Sequence, residues 1–306
     1  MPEDPTYALV TGASSGIGRA CALRLAGSGV RVFAAVRAEE DAAALARVRG
    51  VHPLQFDLRD ARSIARASAK VYSRLGGRGL HGLVHAAGIA VAAPLEFLPP
   101  EAFHEQWEVN LAGPLLLTQA LLPLLRRDAG RIVFVSSMSA RVALPFLGAY
   151  AASKSALEAV VDALRVELQP WGIQVSSVQP GRVTSPLWRK SLARAQSLRD
   201  AAGPCGHALY GARMARMRAR ALRVDSGHVI APDAVARSVV RALRQRRPRT
   251  RYLVGRHTRV AATALQLAPD RLRDLWLRRT LAERSSLLRR WRSRPAPEPG
   301  RTQGHG

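Results

Sequence analysis

Short runs of consecutive apolar residues alternate along the first two thirds of the chain with longer stretches whose apolar positions recur at helical spacing. Tyr7-Ala8-Leu9-Val10 is the first run, and a glycine-rich turn separates it from a helical pattern over residues 17–26. Runs at 30–36, 51–56, 80–85, 131–135 and 173–178 predict five further strands. Patterns at 42–48, 64–75, 110–125 and 149–169 predict the helices between them. Strands without a polar face are buried on both sides, as in a parallel sheet covered by helices. The alternation therefore predicts right-handed βαβ units in a doubly wound α/β fold, with ligands at the carboxyl ends of the strands.

Beyond residue 186 the pattern changes. Residues 187–222 are Arg/Ala-rich and read as helical, broken at Ala202-Gly203-Pro204-Cys205-Gly206. A helix is expected over 232–244, with Asp233 in its first turn. Arg251-Tyr252-Leu253-Val254 is the candidate last strand, which makes a sheet of about seven, mostly parallel. Residues 261–291 are amphipathic and helical with an interruption near Pro269, and 294–306 are Pro/Gly-rich and expected to be disordered. The expected organisation is one catalytic domain over 1–255 containing a substrate lid at about 185–227, a basic helical extension over 256–293, and a tail.

The turn after the first strand carries chemistry. Thr11-Gly12-Ala13-Ser14-Ser15-Gly16-Ile17-Gly18 joins strand to helix within a βαβ unit. Glycines there permit a tight turn and close approach to a pyrophosphate, and the helix start offers free N–H groups to it. The fold expected is thus a single Rossmann-type domain, with Gly12, Ser14, Ser15, Gly16, Ile17 and Gly18 at a dinucleotide. An NAD site places a carboxylate at the end of the second strand. Here that end is Ala35-Val36-Arg37, with no carboxylate until Glu39. Arg37 can pair with a 2′-phosphate, helped by Ser14, so NADP(H) is preferred and NAD(H) stays open. Asp57, followed by Leu58, fits a hydrogen bond to the adenine amino group or a cap on the next helix.

Tyr150-Ala151-Ala152-Ser153-Lys154 puts a phenol and an ammonium on one helix face. A nearby cation lowers a phenol's pKa from about 10 and lets it exchange a proton with a substrate oxygen. Ser137, just past the fifth strand, can hold the same oxygen. Such a pair usually means nothing more than a surface contact, but here it follows the glycine turn and Ser137 in order.

In these motifs the chain resembles the short-chain dehydrogenase/reductase family over roughly residues 6–190, nearest in look to its 17β-hydroxysteroid and retinol dehydrogenase branches. The resemblance implies a catalytic tetrad of Asn110, Ser137, Tyr150 and Lys154. In it Asn110 helps hold a water of a proton relay, and Lys154 bonds the nicotinamide ribose. It also implies a nicotinamide-contacting turn at Pro180-Gly181, with Val183 at the carboxamide. Two departures stand out. The family's Asn-Asn-Ala-Gly is His85-Ala86-Ala87-Gly88 here. Ala87 and Gly88 still allow cofactor approach, and His85 reads as a structural replacement. The hydroxyl after the Pro-Gly turn is Ser185, with Thr184 adjacent.

The activity expected is interconversion of an alcohol and its carbonyl. Leu187, Trp188, Leu192, Leu209, Tyr210 and Met214 in the lid, with residues 144–147, suit a lipophilic alcohol or ketone. By the resemblance a homodimer or homotetramer is expected. No metal is expected.

Charge alters one part of this picture. Net charge is +25, but residues 1–185 hold 19 basic and 15 acidic side chains and the remainder 28 and 7. The basicity lies outside the expected core, and no nucleic-acid partner is expected. Leu272, Leu275, Trp276 and Leu281 among Arg271, Arg273, Arg278 and Arg279 suit an amphipathic helix on an anionic membrane; a solvated face or a subunit contact is equally open. The acidic start, the absence of a long uninterrupted apolar run and the two well-separated cysteines lead to an expected cytoplasmic location with reduced thiols, the inner membrane surface included. Two rivals remain: a non-catalytic NADP(H)-binding regulator, and a basic membrane- or nucleic-acid-associated binding protein.

Overall fold

A computed structural model describes residues 5–222 and 229–281. Seven strands form one sheet in the order β3-β2-β1-β4-β5-β6-β7, every pair parallel. They are β1 Tyr7–Val10, β2 Arg31–Val36, β3 Val51–Gln55, β4 Gly82–His85, β5 Arg131–Val135, β6 Gln174–Pro180 and β7 Arg251–Val254. Side chains alternate across β1: Tyr7 and Leu9 enter one core, Ala8 and Val10 the other. The first core is closed by α3 (Ala61–Leu75), α5 (Gly113–Arg127) and α6 (Gly148–Glu167). The second is closed by α1 (Gly16–Ala26), α2 (Glu39–Ala46) and α9 (Pro232–Arg244). This is the doubly wound α/β fold that the alternating runs predict.

Element ends follow local chemistry. The Asp60 side chain accepts the Arg62 N–H at 2.8 Å and caps α3, while Gly76 ends that helix at φ +54°. Such a cap stabilises a helix by about 1 kcal/mol, and a left-handed C-terminal residue favours glycine. The cap is therefore Asp60, which removes the capping alternative for Asp57.

Helix α4 (Pro100–Trp107) runs through a π-helical stretch, Glu108–Ala112, into α5. The stretch 100–127 is apolar and long enough to cross a membrane, but half of its apolar window is buried. Leu117, Leu121, Leu124 and Leu125 in α5 form part of the first core. The described part of the segment expected as a lid folds into α7 (Pro186–Ala201) and α8 (Gly203–Leu222), which meet at Gly203 with φ +64°.

The chain divides after Ala268 into two compact units. In the first, α10 (Arg256–Leu267) follows β7; in the second, α11 spans Asp270–Leu281. The expected break near Pro269 is thus observed. Lid residues 223–227, the helical reading of 282–291 and the expected disorder of 294–306 lie outside the described residues.

Candidate active site

The sheet order reverses between β1 and β4, the place where this architecture binds ligands. There the β1–α1 turn meets the segment after β4. Gly12 has φ +67°, and a Cβ on it would stand 2.8 Å from the Ala87 Cα. A Cβ on Gly18 would stand 2.2 Å from the Gly12 carbonyl oxygen. Both positions exclude side chains, so the backbone forms a cradle against the start of α1.

A cavity opens on this cradle. Gly12, Ser14, Ser15, Gly16 and Ile17 line it on one side, with Arg37, Asp57, Leu58, Ala87, Gly88 and Ser185 around the rest. Arg37 is exposed, and its carbonyl accepts the Gln55 side-chain amide at 2.9 Å, which fixes the end of β2 beside β3. The Asp57 carboxylate takes the Arg59 N–H at 2.9 Å and its guanidinium at 2.7 Å. These bonds with Arg59 hold its carboxyl below the usual range.

The four tetrad residues come together behind that cavity. Tyr150, Lys154 and Ser137 are only 5%, 4% and 8% exposed. Ser137 lies just past β5, and its Oγ accepts the Ser139 N–H at 3.0 Å. Asn110 sits in the π-helical stretch. Its amide donates to the Ile89 carbonyl at 2.9 Å and to Ser153 Oγ at 3.0 Å, while its Oδ1 accepts the Ile89 N–H at 2.9 Å. Ser153 in turn donates to the Tyr150 carbonyl at 2.8 Å. Asn110 thereby braces the turn after Gly88 against α6. A Cβ on Gly88 would approach the Asn110 Oδ1 to 3.2 Å and the Lys154 Nζ to 3.7 Å, so this glycine separates tetrad from cavity.

The electrostatics differ from the simple expectation. Lys154 Nζ donates to the Val135 carbonyl at 3.0 Å. Burial raises the Tyr150 pKa, and its hydrogen bond with Ser137 pulls the other way. Burial also lowers Lys154 to about 8, against the attraction of Glu158. Lys154 is thus desolvated and turned toward β5.

His85 behaves structurally. Its Nε2 bonds Thr118 Oγ1 at 2.9 Å, its ring stacks on Phe134 at 4.5 Å, and burial holds its pKa down to about 3. Thr11 Oγ1 accepts the N–H groups of Ala86 at 3.0 Å and Ala87 at 3.1 Å and so braces the turn after β4.

At the expected Pro180-Gly181 turn, Gly181 donates to the Val254 carbonyl at 3.2 Å, following Pro180 at the end of β6. The Val183 side chain is buried in the second core, so any contact with a carboxamide falls to its backbone. Ser185 and Pro186 lie against Gly16, where a Cβ would meet them at 3.4 and 3.8 Å.

Helices α7 and α8 bring aromatic rings to Tyr150 and to the segments around it. Trp188 of α7 packs edge-on to Tyr150 at 6.0 Å. Tyr210 of α8 packs on Phe97 at 5.8 Å and Phe146 at 6.2 Å, and its hydroxyl donates to Glu96 at 2.7 Å. Phe146 is held at φ +65°, an unusual backbone conformation for a bulky residue and one found at constrained sites. Thr11 of the glycine turn also lines the cavity, as do Glu105, Lys190 and Arg194, which no local pattern marks as site residues. Their approach depends on lid packing, which has no local pattern.

A family profile described as short chain dehydrogenase matches residues 6–196. The chain belongs to the short-chain dehydrogenase/reductase family. It is an oxidoreductase of alcohol and carbonyl groups. It is 33% identical to an NADPH-dependent 3-dehydrocapnine reductase of Ornithobacterium rhinotracheale, over 88% of this chain and 94% of that protein. It is 33% identical to retinol dehydrogenase 5 of Mus musculus, over 90% and 88% of the two chains. A short chain dehydrogenase of Burkholderia cenocepacia J2315, solved in complex with NADP, superposes with a TM-score of 0.68 at 27% identity, covering 92% of this chain and 100% of that one.

Proposed function

We propose that this oxidoreductase uses NADP(H) and acts on a lipophilic alcohol or ketone. The observation that carries the reading is the burial of Tyr150, Ser137 and Lys154 together, with Lys154 one helical turn from Tyr150 and Gly88 between Lys154 and a cavity floored by a dinucleotide cradle. Gly12, Gly18 and the start of α1 fit a pyrophosphate, and Gly88 leaves room between cavity and tetrad. When bound, the cofactor supplies hydride in reduction and accepts it in oxidation.

The chain's own residues handle orientation and the proton. In reduction Ser137 donates to the carbonyl oxygen, and Tyr150 passes its proton to that oxygen as the alcohol forms. Oxidation runs the same path backwards, with the Tyr150 oxygen taking the hydroxyl proton. Lys154 supplies positive charge beside the site and orients the nicotinamide ribose, as the family resemblance implies.

Arg37 favours NADP(H), because the end of β2 offers a guanidinium and no carboxylate to the adenosine ribose. The NADPH dependence of the dehydrocapnine reductase supports the same preference. The aromatic wall of Trp188, Phe97, Phe146 and Tyr210 supports a lipophilic substrate, in keeping with the likeness to a retinol dehydrogenase. A peripheral contact with an anionic membrane through α11 belongs to the same proposal.

The test is Tyr150→Phe. Turnover with NADPH and a ketone panel falls by about 10²–10⁴-fold while the NADPH Kd stays within twofold. Near-unchanged turnover overturns the mechanism. If the unmodified protein binds NADPH but turns over no carbonyl, a non-catalytic regulator is the better reading.

A further inference from the structure

Lysine is nearly absent from this chain. Against 44 arginines there are three lysines, Lys70, Lys154 and Lys190. Lys70 is exposed on α3, Lys154 belongs to the tetrad, and Lys190 lines the cavity floored by the glycine turn. Two of the three thus stand at the cofactor site, in a protein that supplies almost every other cation as arginine. An ammonium is a compact charge on a flexible stem with three donors, and it meets a phosphate oxygen as a point charge.

The lid helix sets its position. Ser185 and Pro186, where α7 begins, lie against Gly16 of the glycine turn. Lys190 follows one helical turn later, about 6 Å along the axis, so its stem can reach back over the N–H groups at the start of α1. Arg194, a further turn on, is already held by Glu105 at 2.5 Å, and Glu105 also takes Arg59 at 3.3 Å. Lys190 forms no ion pair among the described residues.

Resting on the NADP(H) reading above, we propose that Lys190 is a ligand of the cofactor's pyrophosphate, and that this contact holds α7 down over the bound dinucleotide. Trp188 lies two residues earlier on the same helix and packs on Tyr150. The contact therefore ties cofactor binding to the wall of the substrate site. Its target differs from that of Arg37, which stands at the end of β2 and addresses the 2′-phosphate.

The experiment measures NADPH and NADH affinity, by nicotinamide fluorescence, for the full chain and for Lys190→Gln and Lys190→Arg. Tryptic cleavage at the lid arginines is followed with and without nucleotide. Lys190→Gln weakens both nucleotides by a similar factor, about tenfold, and Lys190→Arg recovers most of the loss. Nucleotide slows lid cleavage in the unmodified chain and protects Lys190→Gln less at equal saturation. The proposal is overturned if Lys190→Gln binds both nucleotides as tightly as the unmodified chain. It is equally overturned if only NADPH weakens, since that places Lys190 at the 2′-phosphate. Should the unmodified chain bind neither nucleotide, the cofactor reading itself fails, a result distinct from either.

Discussion

At Lys154 burial works against charge, and the consequence is a measurable pH limb. The ammonium is displaced from 10.5 to about 8, so it is fully protonated below neutral pH and loses its proton as pH rises through about 8. Carbonyl reduction that needs the cation should fall about tenfold per pH unit above that point. A profile of kcat at saturating NADPH checks this, and in Lys154→Met the residual rate should lack the limb. The folded pKa lies below the unfolded one, so between about 8 and 10.5 the unfolded chain holds more protons. This side chain's contribution therefore raises stability as pH rises across that window. Arg37 makes a second residue-scale prediction. It is exposed, so the proposed pairing with a 2′-phosphate would be partly screened, and Arg37→Ala should lower the NADPH-to-NADH ratio of kcat/KM by roughly tenfold or less. A strong NADH preference, unchanged in the variant, contradicts the assignment.

At the level of elements, the glycine turn and the strands were legible because local rules set them. Buried strands demand apolar runs, and observed ends fall within about two residues of the expected ones. Helix α4 was not legible, because its eight residues carry no clear apolar period ahead of the pattern at 110, although Pro100 suits a helix start. The π-helical stretch at Asn110 was hidden as well, since one extra residue per turn leaves no separate apolar period. Of the candidate site, Ser137, Tyr150 and Lys154 were legible as proposed catalytic residues from spacing and order, and Asn110 from family likeness alone. The lid contacts were not: Trp188 lies 38 residues beyond Tyr150 and meets it only through packing of α7. That contact makes the element-scale prediction. Trp188→Ala removes an aromatic wall beside the phenol, so KM for a bulky apolar ketone should rise about tenfold, the loss of part of a half-buried indole. KM for a two- or three-carbon carbonyl and the Kd for NADPH should stay near their original values. Equal effects on large and small carbonyls would show that Trp188 serves packing alone.

Across the whole molecule, charge and catalysis are separated. The family match ends at residue 196, and most of the net +25 lies at and beyond the start of the lid. Helix α11, considered by itself, exposes Leu272, Leu275 and Trp276 at the spacing of one helical face. Arg271, Arg273 and Arg278 flank that face, and Arg279 ends it one turn beyond Leu275. An apolar stripe among arginines gains from a hydrocarbon boundary and from anionic headgroups together, each arginine contributing about 1 kcal/mol near such a surface. The headgroup part is screened by salt. The full chain should therefore sediment with vesicles rich in phosphatidylserine at low salt, and much less at about 0.5 M salt, where the screening length drops to a few ångströms. Neutral phosphatidylcholine vesicles should retain little of it. Leu272→Asp combined with Trp276→Asp should abolish sedimentation while leaving turnover of a water-soluble ketone unchanged, because both substitutions fall outside the compact unit that holds the tetrad. No sedimentation of the unmodified chain at low salt would assign this face to solvent or to another subunit.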